Sequence, residues 1–311
     1  MKIMFALFGL GLGVVALYAA EDADNLAKQF DYDHNAPVRV EQVSTEQRGK
    51  ITVEDITYSG AAGGRVPAYL VIPAGKGPFA AVLWGHWMMP GSASMNRTEF
   101  LDEAVALAPG GVVSLLIDSP MVRPGYKPQG DLKDSQQDVI DLRRGLDLLL
   151  TRKDVDLKRV AYVGHSFHAG NGAILAGIEP RLTTLVLMAG GLDMDQFLAS
   201  QSKMAVEARQ KYSADELKQY LAANDSVNPK HYLHSKHPPL LLQFGMHDAY
   251  MTKEDCEEYA RIVSPPKEVK YYDAGHELNA AARHDRIAWL QEQLDLKKVD
   301  WKAIGALPQI K

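Results

Sequence analysis

The sequence predicts a mixed α/β fold: a mostly parallel central sheet flanked by helices, with a small helical cap insertion. Two observations carry this expectation. Short apolar and β-branched runs alternate with stretches of helical periodicity along most of the chain, the pattern of strand–helix units that wind into a parallel sheet. Between Gly191 and His237 the alternation stops and a polar, helical stretch replaces it. The 311 residues suffice for a large core, and the composition, 46% hydrophobic and 23% charged, has no break that divides the chain into dissimilar halves. The expected layout is a signal peptide over 1–20, an α/β domain over 21–296 with its cap at about 191–237, and a C-terminal tail over 297–311.

Each element follows from its own residues. Met1-Lys2 precedes an apolar run from Ile3 to Ala20, and the acidic Glu21-Asp22-Ala23-Asp24 follows, the layout of a secretory signal ending at Ala19 or Ala20. The protein is therefore expected in the periplasm or secreted, with no stable membrane association after cleavage; an uncleaved anchor is the rival reading of the same run. Ile51 to Tyr58 alternates with period two apart from a slip at Glu54-Asp55, turns through Gly60 to Gly64, and returns along Val66 to Ile72 as a hairpin. Phe79 to Trp84 and Val112 to Asp118 are nearly continuously apolar, as strands covered on both faces are. Glu99 to Leu107 reads as a helix, and Leu132 to Thr151 places Val139, Leu142, Leu146 and Leu149 on one helical stripe. Strands continue at Arg159–Val163, Leu182–Met188, Pro239–Phe244 and Glu268–Tyr272, with helices at about 252–263 and 277–295. Within the insertion Ser213 and Glu216 form a capping box. An insertion after a strand's carboxyl end lies over the ligand crevice of an open sheet, so it is expected to cap the site.

Composition removes several function classes. A formal charge of −5 gives no basic footprint for nucleic acid. Cys256 is the only cysteine, so no intramolecular disulfide forms, and its charged helical setting suits a surface or half-buried thiol rather than a nucleophile. His231, His234 and His237 have the spacing of metal ligands without a cysteine or carboxylate partner, so neither a metal nor a cofactor is expected.

The chemistry concentrates in three loops. Gly164-His165-Ser166-Phe167-His168 follows the run Arg159 to Val163 and precedes the small-residue stretch Ala169 to Gly177. Strand, sharp turn and helix in that order lift a serine hydroxyl clear of the sheet and leave the next N–H groups at a helix N-terminus, where an oxyanion is stabilised. A serine hydroxyl needs a base to become a nucleophile, and the base needs an orienting acid. Phe244-Gly-Met-His-Asp248 places a carboxylate just past one strand, and Tyr272-Asp-Ala-Gly-His276 an imidazole just past the next. The chain order Ser166, Asp248, His276 on successive loops is the order of nucleophile, acid and base in α/β-hydrolases.

On the stretches Gly164-His-Ser-Phe-His-Ala169, Phe244-Gly-Met-His-Asp248 and Asp273-Ala-Gly-His-Glu-Leu278, the chain from about Thr52 to Leu296 resembles the dienelactone-hydrolase-like branch of the α/β-hydrolase superfamily, in its exported serine-esterase form. The resemblance implies the α/β-hydrolase fold with Ser166 as nucleophile, Asp248 as acid and His276 as base. Dienelactone hydrolases proper use a cysteine nucleophile, so Ser166 departs from them and points to esters more generally. His168 also departs, standing where Gly-x-Ser-x-Gly has its second glycine. The resemblance further implies an oxyanion turn at Gly85-His86-Trp87-Met88-Met89-Pro90-Gly91, with the Met88 N–H as donor, or that of Trp87 if the turn differs, paired with the Phe167 N–H.

Four residues complete the expected substrate surroundings: His86, Met89, Arg123 and His168. Arg123 is placed to reach a substrate carboxylate, while helix direction carries His168 away from the hydroxyl and into packing. Asp118 and Glu277 are acids near the site with structural or orienting roles. The implied activity is hydrolysis of a small-molecule carboxylic ester through an acyl-enzyme, without a cofactor. A serine peptidase or amidase of the same fold uses the same machinery. A catalytically inactive binding protein on this fold is the third reading, and the intact triad argues against it.

Overall fold

The computed structural model describes residues 25–60, 64–89, 91–190, 194–233 and 236–310; the expected signal peptide, cap residues 191–193 and His234 lie outside the described residues. In chain order the strands are β1 (Val40–Arg48), β2 (Ile51–Ser59), β3 (Arg65–Ile72), β4 (Phe79–Gly85), β5 (Val112–Ile117), β6 (Val155–His165), β7 (Thr184–Met188), β8 (Leu240–Gly245) and β9 (Lys267–Tyr272). The helices are α1 (Leu101–Leu107), α2 (Asp131–Leu150), α3 (Phe167–Ile178), α4 (Met194–Ala199), α5 (Lys203–Lys211), α6 (Ala214–Asn224), α7 (Lys253–Ile262), α8 (Ala280–Gln293) and α9 (Trp301–Gly305).

The strands join one sheet in the order β1-β2-β3-β5-β4-β6-β7-β8-β9. The hairpin read from the sequence is present, with Thr52 opposite Ile72 and Ser59 opposite Arg65. Pairing is antiparallel from β1 through β3 to β5 and parallel from β5 to β9. The chain leaves β4 toward β5 on one side and returns past it to β6 on the other, so the strand order reverses at β4. Such a reversal opens a crevice beyond the strands' carboxyl ends, and here Gly85 and Gly164 stand side by side in register at its edge.

Period-two alternation survives inside runs that look uniformly apolar. Leu83, Leu115, Tyr162, Leu187 and Leu242 belong to the core shared with α2, α3 and α7, whereas Val82, Leu116, Val163, Val186 and Leu241 belong to the core shared with α1, α8 and α9. Both faces are buried, so these runs stay apolar apart from Ser114, Thr184 and Gln243, which are themselves buried. β1 is the opposite case and escaped the sequence reading. Nearly every residue of β1 is exposed, so neither face imposes an apolar period on this edge strand.

The cap forms as expected from three short helices between β7 and β8, with the Ser213–Glu216 capping box in place and Ser202 accepting from the Ala205 N–H at the start of α5. Its helices bury little: α4 has no buried residue, α5 only Ala205 and α6 only Asn224. Beyond β9 the chain after Lys297 is docked. Arg283 donates to Leu307 O at 2.8 Å, Gln309 donates to Leu278 O, and Ile304 is buried. Cys256 corrects the sequence reading, because it is fully buried rather than at the surface or half-buried, and burial raises its thiol pKa. No helix among the described residues is long and apolar enough to cross a membrane.

Candidate active site

β6 ends at His165 and α3 begins at Phe167, leaving Ser166 alone on the turn with φ 54° and ψ −112°. A non-glycine residue adopts positive φ only when its surroundings hold it there. The Ser166 N–H donates to Met188 O at 2.7 Å, extending the β6–β7 ladder by one bond, while Ala169 and Gly170 donate back to Ser166 O at 2.9 and 3.2 Å. Gly190 permits the close approach from the other side: a Cβ there would lie 2.3 Å from Ser166 O. The strained serine is thus held by backbone bonds to β7 on one side and from the first turn of α3 on the other.

Three loops then converge. His276 Nε2 lies 2.8 Å from Ser166 Oγ, and His276 Nδ1 lies 2.7 Å from Asp248 Oδ2. The other carboxylate oxygen, Asp248 Oδ1, accepts from the N–H groups of Tyr250 and Met251 at 2.8 and 3.2 Å, so both oxygens are engaged. The helix after Asp248 is capped by Thr252, which leaves Asp248 free for His276. Trp87 lies parallel to the His276 ring at 6.4 Å between centroids, and Tyr250 meets it edge-on at 4.9 Å. The structure brings together all three residues that the loop order singled out.

The turn after β4 corrects several expectations. Its Trp87 N–H donates to Glu99 Oε2 at 2.6 Å, so Trp87 is not available as an oxyanion donor, and its side chain is buried. His86 does not meet substrate either. Its buried ring donates from Nδ1 to Trp87 O at 2.7 Å and accepts at Nε2 from the Ser119 N–H at 3.0 Å, fixing a neutral tautomer behind the turn. Burial, helped by the neighbouring His168, pushes the His86 pKa down to about 3. Arg123 points away from the serine as well, donating to Asp141 Oδ2 at 2.6 Å and to Asp118 O at 2.7 Å. Asp118 is structural, accepting from the Arg97 N–H at 2.8 Å.

His168 is fully buried and lines neither cleft beside Ser166, so its place among substrate-binding residues is overturned, whereas its expected packing role holds. Its Nδ1 donates to His86 O, and its Nε2 stands 3.1 Å from Asp138 Oδ2 as an ion-pair contact without good hydrogen-bond alignment. Asn171 donates to the same oxygen at 2.7 Å. Burial opposes charge on His168, but Asp138 outweighs it and raises the imidazole pKa; Asp138, also desolvated, is held low by His168. The imidazole fits because Gly85 faces it: a Cβ at Gly85 would lie 2.6 Å from the His168 ring. The glycine needed at this crossing sits on β4 instead of α3.

Beside the site, the buried side chains of Glu99, Asp138 and His165 went unread in the sequence. Asp138 had a signal, since Asp131, Asp134, Asp138 and Asp141 recur at spacings of three and four on α2, beside the apolar stripe. Glu99 lies in irregular chain before α1 and has no periodic signature. His165 sits inside the serine motif as an unspecified position.

Two clefts meet at Ser166. One, of about 460 Å³, is lined by Met88, Met89, Met204, Tyr250, Met251 and His276; the other, of about 450 Å³, by Met88, Met121, Asp134, Phe167, Met194 and Tyr220. Phe197 of the cap reaches both. Met89 is the one expected substrate residue outside the oxyanion pair that does line a cleft. Larger surface hollows exist elsewhere, but none of them contains a residue of the Ser166–His276–Asp248 line.

Neither a protein-family model nor a curated protein sequence matches the chain. Solved structures do resemble it. An acetyl xylan esterase from Paenibacillus sp. R4 superimposes with a TM-score of 0.68 at 20% identity, over 89% of this chain and 93% of that one. Acetyl xylan esterase 1 from Thermoanaerobacterium sp. JW/SL YS485 gives 0.68 at 17% identity, over 89% and 94%. A hyperthermophilic esterase from the archaeon Pyrobaculum calidifontis gives 0.56 at 17%, over 91% and 93%. At these identities the likeness is one of fold. Together with the sheet order, the serine elbow and the loop positions of Asp248 and His276, it shows that the chain has the α/β-hydrolase fold.

Proposed function

We propose that the protein is a serine esterase that hydrolyses carboxylic esters of small molecules through an acyl-enzyme. The observation that carries this is the unbroken line from Asp248 Oδ2 through the His276 ring to Ser166 Oγ, with separations of 2.7 and 2.8 Å. Ser166 attacks the ester carbonyl as His276 Nε2 takes its proton, and Asp248 holds the imidazole with Nδ1–H toward the carboxylate. The Phe167 N–H, in the first turn of α3, and the Met88 N–H stabilise the oxyanion. Met88 is the donor on the β4 side because the Trp87 N–H is committed to Glu99. His276 then protonates the leaving alcohol and activates the water that releases the acid.

Proton delivery assigns the clefts. The alcohol leaves beside His276, in the cleft lined by Met89, Met204 and Met251, and the acyl group occupies the cleft beside Phe167. Methionines line both, and their unbranched, polarizable side chains adapt to apolar groups of varied shape. Acetyl esters are the first substrates to try, since the similar solved structures include acetyl xylan esterases. The apolar run Ile3 to Ala20 behind Met1-Lys2 supports export, which N-terminal sequencing of protein from the periplasm or medium tests directly.

The deciding experiment is hydrolysis of p-nitrophenyl esters of graded acyl length by the native protein and by Ser166→Ala. The native protein is expected to turn over several short acyl esters, and the variant to lose about 10⁴- to 10⁶-fold in kcat. A folded Ser166→Ala with native activity contradicts the proposal.

A further inference from the structure

The buried pair Glu99–His165 joins two halves of the site that the sequence keeps 177 residues apart at Glu99 and His276. Glu99 Oε2 accepts from the Trp87 N–H at 2.6 Å, on the oxyanion turn. Glu99 Oε1 lies 2.5 Å from His165 Nδ1, and His165 Nε2 donates to His276 O at 2.9 Å, on the loop of the base. Neither side chain of the pair is exposed to solvent. The His165 ring is clamped further by the Trp87 indole, stacked at 5.1 Å and 19°. Glu99 and His165 bond to Trp87, to each other and to His276 O rather than to Ser166 Oγ, so the pair acts through the groups it holds.

We propose that Glu99 and His165 are positioning residues that lock the oxyanion turn and the His276 loop in one mutual geometry. The inference rests on the esterase reading of the site. Its physical basis is that a base and an oxyanion donor must both lie within hydrogen-bond reach of the same reacting carbonyl, and small misplacement of either lowers the rate steeply. The loop of His276 follows β9 and the turn follows β4, on strands separated in the sheet by β6, β7 and β8. His165, at the end of β6, lies between them and bridges the gap. A salt link alone would serve stability; this one also ends on two backbone groups of the catalytic loops, which is what a positioning role requires.

The pair is tested with four proteins assayed beside the native enzyme. Glu99→Gln can still accept from Trp87 and donate to a neutral His165, so it retains at least about a third of kcat. Glu99→Ala removes both contacts and lowers kcat about 10²-fold with KM within about threefold, the pattern of an interaction made in the transition state. His165→Phe keeps the ring stacked on Trp87 and loses the link to His276 O, with a loss of about 10- to 10²-fold in kcat. Glu99→Gln/His165→Phe carries no uncompensated buried carboxylate and covers the case in which a single variant fails to fold; it falls at least tenfold in kcat below Glu99→Gln.

Rescue by glutamine, with unchanged KM and thermal midpoints within a few degrees, supports positioning. Two results overturn the proposal: kcat within twofold of Glu99→Gln in the folded double variant, or a rise in KM with kcat preserved. Native activity that is abolished in Ser166→Ala, run in parallel, separates these outcomes from failure of the esterase reading. Absence of ester hydrolysis by the native protein overturns both.

Discussion

The carboxyl edge of the sheet and the cap above it are held by opposite means. At the edge, buried histidines lie on either side of Ser166: His165 meets Glu99 and His168 meets Asp138, all without exposed side chains. Backbone groups of the turn after β4 are bonded to these side chains, so the reacting geometry is over-determined. The cap helices α4, α5 and α6 together bury only Ala205 and Asn224, and touch the site through Met194, Phe197, Met204 and Tyr220. The contrast teaches a division of labour: chemistry resides in a part where each change is costly, and substrate fit in a part where change is cheap.

The largest effect belongs to the edge. Ser166→Ala and His276→Ala each lower kcat by about 10⁴- to 10⁶-fold while the protein stays folded, and the double variant is little worse than either one. Steady-state kinetics with circular dichroism on the three variants checks this. Additive losses would mean that the two residues do not act as one unit.

The His168–Asp138 pair gives the next largest effect, on stability. Removing one partner leaves the other charged or polar in a fully buried place, so His168→Ala or Asp138→Ala destabilises by about 3–5 kcal/mol in urea unfolding. The sign with pH follows from the shifts. The raised His168 pKa contributes stability that is lost as pH rises through it, and the lowered Asp138 pKa contributes stability that is lost as pH falls through it. The gap in urea midpoint between native protein and His168→Gln therefore narrows toward alkaline pH. A gap that widens there sinks the ion-pair account.

His86 works in the other direction. With its native pKa at about 3, the unfolded chain binds this proton more readily, so the group removes stability as pH falls from about 6.5 toward 3. His86→Gln shows a shallower acid loss of stability than native protein, measured by thermal midpoint against pH. Equal slopes would place the acid sensitivity elsewhere.

The smallest effects belong to the cap. Met204→Ala and Phe197→Ala leave thermal midpoints within about 2 °C and change kcat/KM unevenly across alcohol and acyl groups, by about two- to tenfold. Uniform loss of kcat across all esters would move these residues from substrate fit to the reacting geometry.

How much was legible in the sequence follows the same division. Ser166, Asp248 and His276 were readable because each sits just past a strand, and strand ends are marked by local apolar runs. The fates of His86 and Arg123 were not readable, because their partners, Ser119 and Asp141, come from other segments and only the folded sheet brings them near. His168 was recognised as a departure, but its reason lay across the sheet in Gly85 and under it in Asp138. β1 left no period because an uncovered strand needs none. The cap was legible as an interruption, though not in its contacts, since those arise from placement over the crevice rather than from its own pattern.

The most direct test of the central claim is covalent labelling with a fluorophosphonate, read as intact mass and mapped by peptide digestion. The native protein should take up one adduct, located on Ser166, because that hydroxyl has a base at 2.8 Å on an elbow backed by α3. Ser166→Ala should take up none, and His276→Ala should label more slowly by at least about 10³-fold. An adduct on another residue, or equal labelling of the native protein and Ser166→Ala, would contradict the account.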